Sequence, residues 1–134
     1  MKNIEKLKAY NLQEVLTVLL IIGILLLLAL PNLMPLIGKT KAIEAQTQLK
    51  YVYNLQTTYR YMYSKYSNNL AEIDFETPKT VKESGTSNYI YEILEANNSN
   101  FKVRATAITD FDGDGIFNVW EINESGTPIQ ITKD

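Results

Sequence analysis

The chain has 134 residues, with 13 basic and 15 acidic side chains and a formal net charge of −2. It has no cysteine and no histidine, which excludes disulfide staples, Ser-His-Asp and Cys-His nucleophile systems, and histidine-based zinc or iron sites. Its basic residues are scattered rather than gathered into a patch of the nucleic-acid-binding type, and its length sets one domain or less.

The chain opens with a short basic leader, Lys2, Lys6 and Lys8 ahead of Ala9. From Val15 to Ile37 only Thr17, Gly23, Asn32 and two prolines interrupt apolar residues. As a helix, ~23 residues would cross a ~30 Å hydrocarbon layer. The preceding lysines favour a cytoplasmic N-terminus. A secretory signal would close on a small-x-small cleavage site, and Ala-Leu-Pro-Asn-Leu-Met-Pro is a poor one. A plain signal anchor gives no reason for Glu14, since a carboxylate in hydrocarbon costs about 2.5 kcal/mol or more. No basic residue follows it until Lys39. A cut between Ala9 and Tyr10 would supply a partner. The new α-amino group would lie four residues before Glu14 on the same helix face. Pairing with Glu14 of the same or a neighbouring chain would neutralise two charges and set the axial register between subunits.

These residues resemble a known pattern. Lys8-Ala9-Tyr10-Asn11-Leu12-Gln13-Glu14-Val15-Leu16 is similar to the class III signal of type IV pilins and type II secretion pseudopilins: basic leader, small residue, aromatic, then glutamate and an apolar helix. Gly23 and Pro31 fall at the spacings of that family, and the resemblance covers roughly residues 5–55. Ala9 stands where glycine is usual, and Tyr10 where phenylalanine is common. The resemblance implies that a prepilin peptidase cleaves after Ala9 and methylates the Tyr10 amine. It implies storage in the inner membrane, N-terminus inward, before an assembly platform and its ATPase polymerise copies of the chain into a periplasmic or extracellular filament. The fibre would serve adhesion, motility or DNA uptake, or form the pseudopilus of a type II secretion system. Loss of residues 1–9 would leave 10 basic and 14 acidic side chains, a net charge of −4.

Residues 10–38 are expected to form the membrane and polymerisation helix, weakened at Gly23, Pro31 and Pro35. The resemblance implies that the backbone between Gly23 and Pro31 can melt on assembly. Extended chain rises ~3.3 Å per residue against ~1.5 Å in a helix, so melting would lengthen the subunit. Residues 39–134 are expected to form a soluble head of ~95 residues, small for a self-sufficient core. Within it, 39–66 continues as an amphipathic helix with Ala45, Leu49, Val52, Tyr59, Met62 and Tyr66 inward and Lys41, Glu44, Gln48 and Lys50 opposite. Its many tyrosines suit core and subunit-interface packing.

Residues 67–87 read as a loop pinned by Leu70, Ile73 and Phe75. The period then changes to two. Strands are expected at 89–95, at 101–108 with Phe101, Val103, Ala105 and Ala107 inward, at 117–122 and at 128–132. Helix followed by antiparallel meander is an α+β layout, and the resemblance makes it pilin-like.

Asp110-Phe-Asp112-Gly-Asp114-Gly115-Ile116-Phe-Asn118-Val-Trp-Glu121 fits the twelve-residue loop template of calcium-binding EF-hands. Asp110, Asp112 and Asp114 supply carboxylates, Gly115 the sharp turn, Ile116 a carbonyl, Asn118 a water-mediated contact and Glu121 a bidentate carboxylate. Both flanks read as strands rather than helices, so a strand can aim Glu121 elsewhere. Two readings stand open, a Ca²⁺ loop and an acidic turn without metal. A membrane-anchored, calcium-binding adhesion or sensor module that never polymerises is the alternative of another class. No residue set for catalysis is apparent, and no enzyme activity is expected.

Overall fold

The computed structural model describes residues 11–134. They divide into two compact units, one ending at Met34 and one spanning Pro35–Asp134. The leader, Ala9 and Tyr10 lie outside the described residues.

In the first unit, helix α1 spans Leu12–Ala29. Its eighteen residues give about 27 Å of length, close to a ~30 Å hydrocarbon layer. None of them is buried. Gly23 lies within the helix, with nothing within 4 Å of where a Cβ would stand. The Leu30 amide still reaches the Leu26 carbonyl, but Pro31 has no N–H with which to continue. The chain passes instead into a 3₁₀ turn, Leu30–Asn32, closed by the Leu33 amide on the Leu30 carbonyl at 3.1 Å.

Helix α2 spans Met34–Tyr63. Pro35 stands in its first turn, where helix amides lack an intrahelical acceptor anyway. Gly38 is a buried member of this helix, and no element boundary falls at residues 38–39. Ala42, Ala45, Leu49, Val52 and Gln56 recur at three- and four-residue steps and are buried. The helix is shorter than the apolar pattern. Ser64 adopts a left-handed φ of 58°, with its amide on the Arg60 carbonyl at 2.8 Å. Met62, in the last turn before that stop, is 64% exposed. Tyr66 is buried, but from the loop, with its ring 4.7 Å from that of Phe101.

The segment from Ser64 to Asn88 holds two 3₁₀ turns, Ala71–Ile73 and Val81–Glu83. Ile73 and Phe75 are buried and Leu70 packs partly against the same core. Four strands follow: β1 Tyr89–Ala96, β2 Phe101–Ala107, β3 Val119–Asn123 and β4 Ile129–Thr132. They pair antiparallel in chain order, β1-β2-β3-β4. The register sets Tyr91 beside Ala105, Ala105 beside Trp120 and Val103 beside Ile122. In β2 every second residue is buried: Phe101, Val103, Ala105 and Ala107. These side chains share one core with Ala45, Leu49 and Val52 of α2. A helix packed on a four-stranded antiparallel meander is an α+β fold.

Two polar residues of α2 bond to the segments flanking the sheet strands. Glu44 accepts hydrogen bonds from the Ser87 hydroxyl at 2.8 Å, the Asn88 amide at 2.9 Å and the Asn88 side chain at 2.8 Å. The Lys50 ammonium donates to the Gly126 carbonyl. The charged face of the helix therefore clamps the segment entering β1 and the turn between β3 and β4.

Candidate metal centre and helix N-terminus

The loop from β2 to β3 is shaped by its own aspartates. Asp110 accepts amides from Asp112 at 3.2 Å, Gly113 at 2.6 Å and Gly115 at 2.6 Å. Asp112 accepts the Asp114 amide at 3.1 Å, and Asp114 the Ile116 amide at 2.7 Å. Such side-chain-to-backbone bonds fold the chain back on itself and turn its carboxylates toward one region. Gly113 and Gly115 both take a φ of 85°, which a Cβ would strain.

The electrostatics follow from this packing. The Gly115 amide, with those of Gly113 and Asp112, holds the Asp110 carboxyl below its ordinary range. The Asp114 amide draws Asp112 the same way, but desolvation and the charges of Asp114, Asp134 and Asp110 outweigh it and raise Asp112. Crowded negative charge of this kind is relieved by a cation.

Asp110, Asp112 and Asp114 come together, and Asp134 joins them from beyond β4. One carboxylate oxygen from each lies within 4.8 Å of the other three. Oxygens bound to one hard cation at ~2.4 Å are at most ~4.8 Å apart, a condition these four meet. The cluster can therefore hold a metal. Asp134 also accepts the Phe111 amide at 2.9 Å. Phe111 is buried, edge-on to Tyr89 at 5.9 Å and beneath the Lys41 ammonium at 4.7 Å. Asn118 is 1% exposed, and its side-chain oxygen has no hydrogen-bond partner. Ile116 sits in the loop with its side chain exposed.

Glu121 lies elsewhere. It stands on β3 opposite Arg104 of β2, and one carboxylate oxygen accepts both Nη2 at 2.6 Å and Nε at 2.9 Å. The strand geometry that breaks the EF-hand resemblance thus gives Glu121 a cross-strand partner. A local loop template contains no signal for Asp134, which reaches the cluster only through the closure of the sheet.

At the start of α1, Glu14 accepts the Asn11 amide at 3.2 Å. Asn11 is extended, with φ −70° and ψ 147°, as a helix N-cap requires. Glu14, Gly23 and Pro31 all fall in the first unit. Compared with models of known protein families and with curated proteins, the chain matches none.

Proposed function

We propose that the chain is a subunit of a type IV pilin-like filament, held in a membrane by α1 before assembly, with a head whose C-terminal loop binds Ca²⁺. The observation that carries this reading is Glu14: an acidic side chain in the first turn of an eighteen-residue apolar helix, none of it buried. Such a carboxylate calls for a partner, and a chain beginning at Tyr10 would supply one on the same helix face. The arrangement of an apolar helix ahead of a helix-on-meander head supports the same reading. The role is structural, with prepilin peptidase, the assembly platform with its ATPase, and other copies of the chain as partners. A type II secretion pseudopilin would use the same parts.

One observation favours a second reading. Glu14 already caps the Asn11 amide, a local task that a lone anchor helix would also use. The chain would then be a membrane-anchored calcium-binding module. Intact mass and N-terminal sequencing of the protein from its native cells separate the two. The expected result is a chain beginning at N-methylated Tyr10. A chain beginning at Met1, in cells whose prepilin peptidase is active, overturns the filament reading.

A further inference from the structure

We infer that the hollow between the end of α2 and the β1–β2 turn is a binding site for a single neutral sugar unit. Its volume is about 340 Å³, near the lower end of the range for small-ligand pockets. Tyr59 of α2 forms one wall, Lys65, Ser67, Asn68 and Glu72 of the following loop another, and Asn98 of the turn a third.

Bonds beneath the hollow tie these walls together. The Tyr66 amide donates to the Asn97 carbonyl at 3.0 Å, which joins the loop to the turn. Gln56 grips both backbone groups of Ser67. The Ser67 hydroxyl, in a residue 2% exposed, donates to Glu72 Oε2 at 2.6 Å, and the Tyr59 hydroxyl donates to the same oxygen at 3.4 Å. A carboxylate fixed in this way is a preorganised acceptor that a ligand need not order. Its other oxygen, Oε1, has no partner among the described residues. Nor do the Lys65 ammonium and the Asn68 and Asn98 side chains.

The lining selects the class of ligand. One carboxylate is too few for a hard cation, which takes about six or more oxygens. A lone lysine sharing the hollow with Glu72 disfavours a bare anion, and the polar walls disfavour an apolar body. A neutral molecule dense in hydroxyls fits, because each hydroxyl both donates and accepts. Its hydroxyls would donate to Glu72 Oε1 and accept from Lys65 and the two amides. The C–H face of its ring would lie on Tyr59, which Tyr63 backs at 4.5 Å between ring centres.

The test is saturation-transfer NMR on the full chain in micelles of a sugar-free detergent. The probes are the methyl glycosides of glucose, galactose, mannose and N-acetylglucosamine. The expected result is transfer to at least one of them, with a Kd on the order of 1 mM and amide shift changes confined to residues 59–72 and 96–98. Lys65 and Asn98 are exposed, so Lys65→Ala and Asn98→Ala leave the buried ties intact. Each should weaken binding about threefold or more. No transfer to any of the four probes overturns the inference. So do shift changes elsewhere in the chain, or a Kd unchanged by either variant. Sodium acetate binding the hollow more tightly than every glycoside also overturns it, in favour of an anion site on Lys65.

Discussion

Single residues here do work that their type conceals. Gln56 is fully buried on α2, where its side chain donates to the Ser67 carbonyl at 2.8 Å and accepts the Ser67 amide at 2.9 Å. Gln56→Ala strands two buried backbone groups and should lower stability by about 2–4 kcal/mol, read from the denaturant midpoint. A loss below ~1 kcal/mol would mean that water replaces the amide. Tyr89 and Tyr91 present a titration. Burial first, then the charge of Glu44, raises both hydroxyls well above the ordinary tyrosine value. The neutral forms are thus the folded forms. Their stabilising effect is complete below pH ~10 and declines as pH rises past the value of the unfolded chain. Absorbance of tyrosinate should show these two ionising only in step with the loss of circular dichroism. Ionisation near pH 10 with the fold intact would contradict their burial. For Glu14, Gln is the informative substitution. It retains an oxygen for the Asn11 amide but carries no charge. If the charge pairs with a neighbouring amine, Glu14→Gln abolishes filaments seen by electron microscopy while α1 persists. If capping is its whole task, filaments survive.

At the scale of elements, α2 is the member on which the head is built. Leu49 is completely buried in its stripe, so Leu49→Ala should cost about 2–5 kcal/mol, measurable by chemical denaturation, whereas the exposed Met62 should tolerate alanine within about 0.5 kcal/mol. The loop ahead of the sheet has its own fixed point. A Cβ on Gly85 would collide with the Lys79 carbonyl, and Gly85→Ala should cost about 1–3 kcal/mol in the same measurement. The elements were legible wherever one face is buried. The alternation of Phe101, Val103, Ala105 and Ala107 is clean because β2 has a partner on each side and α2 beneath it. The stop of α2 was illegible because Ser64, not glycine, takes the left-handed turn. Glu44 was misplaced because a charge on the polar stripe of a helix looks solvated until the Asn88 segment folds across it. The start of β3 was placed too early because Phe117 and Asn118 still belong to the loop.

For the molecule as a whole, calcium bound at the proposed loop site would bear on stability. With a Kd of ~0.1–1 mM, 1 mM calcium adds about 0.4–1.4 kcal/mol, and chelation should lower the Tm of the head by roughly 2–10 °C. An unchanged Tm would remove the ion from the stability of the fold. Three of the four clustered carboxylates were legible because the loop gathers them locally, while the fourth depends on where β4 ends. That same topology governs how the head forms. Each strand pairs with its neighbour in sequence, so the sheet can grow hairpin by hairpin with short loops to close. The contact of Asp134 with the start of α2 is the long closure, and it is expected to come after the folding barrier. Weakening it should then speed unfolding in a chevron and leave the refolding limb in place. Calcium would act as a brake on opening rather than as a guide to folding.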